Sequence, residues 1–422
     1  MDRFYQKLQA TLNNRQRTGR LIEPPSPTAK ANMIDFSSND TLSLSSSGTL
    51  TKGFLRQLEI HPNFVVGSRS SRSLDGTQDY LTDIEAYLAE FHGAETSLFF
   101  NSGFDANVAI WSCLPQPGDF IVHDEYVHAS IHDGMRKSRA KTASFRHNDC
   151  GDLGCRLTAI REENETIACG ENHVFVALES FYSMDGDLVP IEDIIGTVRD
   201  ALPLGNHMLG IDEAHSNGLV GLNGSGVVCY YGMEHRFPIR LHTCGKGLGS
   251  TGAAVLCNEV VKKTLLNYSR EVIFSTAPTF LTVSAVRAGY EILASGEGEK
   301  RRQTLQQNIY LFYHVLTTHK IWAHPHRKDV MYLPTEPTWQ TQPFLSPIVP
   351  LATAQSDKAG ILADKLADAN YLTNVVHFPI VPKGMDRIRL MVHADNTHEE
   401  IEGVVNLIVG WITAELREPA KL

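Results

Sequence analysis

Short apolar runs alternate with helical stretches from about residue 50 onward. Ser97-Leu98-Phe99-Phe100, Asp119-Phe120-Ile121-Val122, Val174-Phe175-Val176-Ala177-Leu178 and Met208-Leu209-Gly210-Ile211 are such runs, and each ends in a polar or glycine-containing segment. Continuous apolar runs of this length suit strands buried on both faces. Strands separated by helices pair in parallel through crossovers. The alternation predicts an α/β fold with a mainly parallel sheet between helices. In open sheets of this kind ligands bind outside the carboxyl ends of the strands, so the chemistry is expected in the polar residues just after each run.

The chain has 422 residues, enough for roughly two to three domains. Residues 297–320 are strongly helical, and shorter strands follow, with helices near 357–369 and 397–415. An N-terminal arm over 1–48, a large domain over 49–298 and a smaller α/β C-terminal domain over 299–422 are therefore expected. In the arm, residues 4–17 fit an amphipathic helix, Pro24, Pro25 and Pro27 break regular structure, and Met33-Ile34-Asp35-Phe36 reads as a short strand.

Charge narrows the function. Lys plus Arg total 38 and Asp plus Glu 48, a net −10, which argues against nonspecific nucleic-acid binding and against an anionic membrane surface. The run around Val404–Ile412 is too short to span a bilayer, and Met1–Lys7 has no secretory pattern. Seven scattered cysteines point to reduced thiols inside the cell. The final Ala420-Lys421-Leu422 is a variant of the peroxisomal address. The expected location is the peroxisome, otherwise the cytosol, with the import receptor as a partner.

Lys246 sits among glycines in Thr243-Cys244-Gly245-Lys246-Gly247. A lysine held on a tight loop is suited to covalent capture of a carbonyl cofactor. The overlapping Gly247-Leu248-Gly249-Ser250-Thr251-Gly252 matches a dinucleotide fingerprint, but the following Ala253-Ala254-Val255-Leu256 reads as a strand where that fingerprint needs a helix. Asp212 ends an apolar run and His215 follows it. A carboxylate there suits a protonated heterocyclic nitrogen better than a metal, since no third ligand lies nearby. Asn101-Ser102-Gly103-Phe104 opens a helix directly after a strand, an anion cradle. His128, after another strand end, suits stacking on a cofactor ring, and His123 and His132 read as structural. Cys150 and Cys155 lack a matching second pair for zinc. No metal site is expected.

Together these segments resemble the α-oxoamine synthases, pyridoxal-phosphate enzymes of the aspartate-aminotransferase-like fold. From Asp35 to His393 the markers stand in the family's order: Phe36-Ser37-Ser38-Asn39-Asp40, Gly67 to Thr77, Asn101 to Phe104, His128-Ala129-Ser130, Glu179 to Asp187, Asp212 to His215, Thr243 to Gly247, and Phe274-Ser275-Thr276. The resemblance implies PLP-dependent transferase fold type I, with a large domain built on a seven-stranded-type sheet. It implies that Lys246 carries the cofactor and moves the α-proton, that His128 stacks on the ring, and that Asp212 pairs with the ring nitrogen. His215 and Ser183 would contact the phenolic oxygen. Ser102, Gly103, Phe104 and Thr243 would hold the phosphate, joined by Ser275 and Thr276 from a neighbouring subunit, which implies a homodimer. Asn39, Ser71, Glu179, His377 and Arg389 would lie near the substrates, with Arg389 clamping the amino-acid carboxylate.

The reaction so implied is a decarboxylating condensation of an amino acid with an acyl-CoA. Ser71 is smaller than the threonine of glycine-plus-succinyl enzymes, leaving room for alanine or serine, and Ser183-Met184-Asp185-Gly186-Asp187 looks most like the biotin branch. That branch condenses L-alanine with pimeloyl-CoA to 8-amino-7-oxononanoate. There are departures: Thr41-Leu42-Ser43-Leu44 replaces Tyr-Leu-Gly-Leu, Arg69 enters a glycine-rich segment, and His377 stands in place of an arginine ahead of Pro379-Ile380-Val381-Pro382. Arg20 is the nearest match to an N-terminal substrate arginine. The alternatives are a secondary-metabolism synthase using another acyl or polyketide thioester, an aminotransferase of the same fold, and an inert partner subunit, against which Lys246, Asp212, His128 and His215 all argue.

Overall fold

The structure is a computed structural model and describes residues 2–18, 21, 32–378 and 380–417. The large sheet holds β2 (Thr96–Phe100), β3 (Phe120–Asp124), β4 (Lys141–Phe145), β5 (Val174–Glu179), β6 (His207–Asp212), β7 (Ile239–Thr243) and β8 (Ala253–Cys257), in the order β2-β8-β7-β6-β5-β3-β4. β4, β3, β5, β6 and β7 pair in parallel. β8 is antiparallel to both of its neighbours, so β2 beyond it again runs with the rest. The sheet is mixed in one strand, the Ala253–Cys257 run that follows the lysine loop. A turn that short returns the chain beside β7 in the opposite direction, where a parallel return would need a crossover.

Every residue of β2, β3, β5 and β8 is buried, as expected for strands covered on both faces. Gly252, at φ +88°, lets β8 start beside β2; a Cβ there would lie 2.3 Å from the Phe99 ring. Helix Gly103–Cys113 follows β2, helix Ala129–Lys137 follows β3 and helix Ile191–Ala201 precedes β6. The helix after β2 starts where it does because Ser102 caps it, its hydroxyl accepting from the Asp105 amide at 3.1 Å.

A second, antiparallel sheet has the order β12-β13-β10-β9 (Asn374–Val376, Arg387–Met391, Ile348–Thr353, Met331–Tyr332). Helix Ser356–Asp368 packs on it, and helix His398–Arg417 packs on the long helix Gly296–Thr318. The strand read near residue 34 exists as β1 (Ile34–Asp35). It pairs in parallel with β11 (Tyr371–Leu372), so the arm is tied to the C-terminal layer, and Phe36 packs 6.0 Å from the Tyr371 ring. Helix Asp2–Arg17 covers the expected 4–17 and buries none of its residues. All seven cysteines are free. Among the described residues no helix is long and apolar enough to cross a membrane.

Candidate active site

The carboxyl ends of β2, β3, β5, β6 and β7 supply Ser102, His128, Glu179, Asp212 and Thr243, each on or just beyond its strand. Because β2 runs in the same direction as the parallel-paired β3, β5, β6 and β7, five distant segments end at one edge. Lys246 lies in the loop after β7, and its Nζ is 2.7 Å from His215 Nε2. Asp212 and Glu179 face each other across the β5–β6 register. Asp212 is held at both oxygens: Oδ1 accepts from the Ala214 amide at 2.8 Å and Oδ2 from Asn107 Nδ2 at 2.7 Å.

The electrostatics follow from enclosure. Desolvation lowers the Lys246 amine to about 8, against the raising pull of Asp212 and Glu179. Burial, with Lys246 and Arg389 nearby, holds His215 well below the ordinary imidazole value, so it is neutral. Burial, reinforced by Asp212, pushes the Glu179 carboxyl well above its ordinary value. His128 is lowered by desolvation despite Asp212. The amine and the His215 imidazole it contacts are therefore shifted toward their neutral forms beside a held carboxylate, the environment a nucleophilic lysine needs.

Arg389 reaches in from β13. It is buried, its Nε donates to the Ser183 carbonyl at 2.6 Å, and burial lowers it to about 10. Arg387, on the same strand, is fully buried and ion-paired to Asp185. The 183–187 turn is held from its other side by His147, whose Nε2 is 2.8 Å from Asp187 Oδ2 and whose Nδ1 is 2.9 Å from Asp124 Oδ1.

Other expected residues sit less centrally. Asn39 is half-buried, with its Oδ1 enclosed and unpartnered among the described residues. Ser71 bonds Ser73 through its hydroxyl at 3.0 Å and forms a bridge with Thr276. Ser275 and Thr276 are exposed. The Thr276 carbonyl accepts from Asn101 Nδ2 of its own chain at 3.0 Å, which puts this segment beside the Ser102 loop. Phe104 is exposed. His377 is half-exposed and its Nδ1 bonds Asp386 Oδ2 at 2.6 Å; no contact joins it to Lys246 or Arg389. His128 caps its helix instead of riding on it, and His123 packs edge-on to His132 at 5.0 Å. Arg20 and Ala420-Lys421-Leu422 lie outside the described residues.

Sequence reasoning missed Asn107, Ser130, His147 and the Arg387–Asp185 pair. Asn107 had a signal: it lies four residues after Gly103, on the same helix face. His147 had none, because its partners come from β3 and from the turn after β5.

The family described as aminotransferase class I and II matches residues 31–408. The chain belongs to that family, in its α-oxoamine synthase branch. It is 38% identical over 404 residues to an aminoacyl transferase sphA of Aspergillus fumigatus, covering 95% of this chain and 86% of the relative. It is 38% identical over 413 residues to an 8-amino-7-oxononanoate synthase of Emericella nidulans, covering 97% and 96%. A serine palmitoyltransferase solved with pyridoxal phosphate superposes with a TM-score of 0.76 at 25% identity, over 90% of this chain and 88% of that one. The protein is thus a pyridoxal-phosphate-dependent acyltransferase of fold type I.

The residues fit that cofactor. A Cβ on Gly103 would lie 2.3 Å from Thr243 Oγ1, so the helix start and the end of β7 touch. That contact sets two hydroxyls, Ser102 and Thr243, beside free helix amides, a cradle for a phosphate. The Asp212 carboxylate suits a ring cation, and the Lys246 amine suits a carbonyl carbon. Glu179 Oε1 is buried and has no partner among the described residues, so a polar group remains to be met there. Among the described residues no cluster of His, Cys, Asp and Glu is arranged to hold a metal.

Proposed function

We propose that the protein condenses L-alanine with pimeloyl-CoA, releasing CoA and CO2 and giving 8-amino-7-oxononanoate. The contact between Lys246 Nζ and His215 Nε2 at 2.7 Å, inside the ring formed by Asp212, His128, Glu179 and Arg389, carries the reading. The nearly full-length likeness to an 8-amino-7-oxononanoate synthase supports this choice of substrates.

Pyridoxal 5'-phosphate, when bound, supplies an electron sink for negative charge at the amino-acid α-carbon. Lys246 holds the cofactor. Its amine, lowered to about 8, would accept the α-proton of the bound amino acid. Neutral His215 orients that amine. Arg389, already fixed through Nε, has its terminal nitrogens left to grip the amino-acid carboxylate in fork geometry. Asp212, held by Asn107 and the Ala214 amide, would pair with a protonated ring nitrogen. Ser102, Gly103, Phe104 and Thr243 would anchor the phosphate, and buried Glu179, with half-buried Asn39 and Ser71, would border the amino acid. Ser275 and Thr276 serve the phosphate across a homodimer interface. The Ala420-Lys421-Leu422 tail sends the enzyme to the peroxisome through its import receptor.

A second reading keeps the chemistry and changes the acyl donor. His377 is engaged by Asp386 at 2.6 Å, so the position where the family carries an arginine offers no free cation to a second carboxylate. The Aspergillus aminoacyl transferase is an equally identical relative. Free-thiol release separates the two. Purified, cofactor-loaded protein is given pimeloyl-CoA with alanine, glycine or serine in turn. Release with alanine alone supports the first reading. An absorbance change with an amino acid but no thiol from pimeloyl-CoA moves the donor to another thioester. Amino-group transfer to an added keto acid, without thiol release, would make the protein an aminotransferase instead.

A further inference from the structure

Behind the pocket, Asn107 and Ser130 link the carboxylate of Asp212 to the ring of His128. Asn107 is buried on helix Gly103–Cys113, and Ser130 is fully buried in the first turn after β3. Asn107 Nδ2 lies 2.7 Å from Asp212 Oδ2 and 3.0 Å from Ser130 Oγ. Ser130 Oγ lies 2.7 Å from His128 Nδ1, and the Ser130 backbone amide donates to the same Nδ1 at 3.2 Å.

The hydrogens of this chain can be assigned by counting. An amide nitrogen has two hydrogens and no lone pair to share. One goes to the Asp212 carboxylate and the other to Ser130 Oγ. The reverse amide orientation would set an oxygen against a carboxylate oxygen. Ser130 Oγ, having accepted from Asn107, has one hydrogen to give, and it points at His128 Nδ1. The Ser130 amide points there too. Two donors meeting at one ring nitrogen require a lone pair on it.

We infer that Asn107 and Ser130 are positioning residues that lock His128 as the neutral tautomer protonated on Nε2 and tie its orientation to Asp212. His128 is exposed. At Nε2 the locked ring carries only an N–H, so it can donate a hydrogen bond but has no lone pair to take the α-proton. That duty stays with Lys246. The role of Lys246 rests on the reading above; the tautomer does not.

The test is 15N NMR of histidine-labelled, cofactor-loaded protein, with the His128 signals assigned by their loss in His128→Asn. The expected spectrum has a protonated Nε2 and a bare Nδ1 that stay unchanged from pH 6 to pH 8. In Ser130→Ala the His128 signals should move toward tautomer averaging while bound-cofactor absorbance is kept. Turnover should fall about tenfold, the effect of one positioned hydrogen bond, and Ser130→Thr should restore both signals and rate. A protonated Nδ1 in the native protein overturns the inference, and that spectrum needs no variant to fold. An unchanged His128 spectrum in folded Ser130→Ala overturns the role of Ser130. A correct tautomer in a protein that releases no thiol from any acyl-CoA would sink the proposed function and leave this inference standing.

Discussion

Lys246 has the most exposed dependence on pH. Its amine is lowered to about 8, and only the unprotonated amine attacks a carbonyl. The rate at which apoprotein captures pyridoxal phosphate should therefore rise through pH 8 and level off above it. Stopped-flow absorbance measures this, and a rate still climbing tenfold per unit above pH 9 would contradict the lowered amine. Lys246→Ala should abolish covalent capture at every pH. Gly103 makes a steric demand. A Cβ 2.3 Å from Thr243 Oγ1 must push that hydroxyl away, an overpacking cost of about 1–3 kcal/mol. Gly103→Ala should weaken cofactor affinity at least about tenfold, read by dialysis against graded cofactor, and lower the unfolding midpoint of the apoprotein in step with that cost.

The turn over 180–189 is the element on which the site's second half depends. Its Asp187, with Asp124 of β3, encloses His147. Burial alone would lower that imidazole, but the two carboxylates raise it to about 10. The ordinary value is 6.5, so the folded chain holds a proton that the unfolded chain releases. The added stability is complete below pH 6.5 and is lost as pH rises toward about 10. His147→Gln should destabilise by about 3 kcal/mol near pH 6, as for a broken buried pair. The gap from wild type should narrow steadily toward pH 10. Urea unfolding at both pH values checks this, and a gap that widens with pH would refute the assignment. The stack of Tyr126 on His147 at 4.5 Å leaves the ring little room to turn away.

At the scale of the whole molecule, β13 joins the small sheet to the pocket. Arg387 pairs with Asp185 and Arg389 binds the Ser183 carbonyl, so two alternate residues of one strand grip one turn of the large domain. Neither is needed for β13 to pair with β10 and β12. Arg387→Met strands a buried carboxylate and should cost about 3–5 kcal/mol. It should also raise KM for the amino acid more than it lowers kcat, because Arg389 loses its placement. Adding Asp185→Leu should recover most of the stability, since an apolar pair of similar volume replaces a buried ion pair at little cost. Stability fully additive between the two changes would disprove the coupling.

Much of this protein is written locally. The apolar runs of β2, β3, β5 and β6, the Ser102 cap and the glycines around Lys246 are set by residues adjacent in the chain, and the lysine, the two histidines and the aspartate could be placed from them. Local pattern also determines that these groups meet, because parallel strands deliver their carboxyl ends to one edge. What only the tertiary structure decided involves partners far apart in the chain: β8 running against its neighbours, β1 joining β11, His147 between Asp124 and Asp187, and Arg387 on Asp185. Asn107, Ser130, Asp212 and His128 come from three segments, and their hydrogen bonds exist only once those segments are packed. A buried polar atom takes whatever partner folding brings within about 3 Å, and no spacing along the chain encodes which one that is.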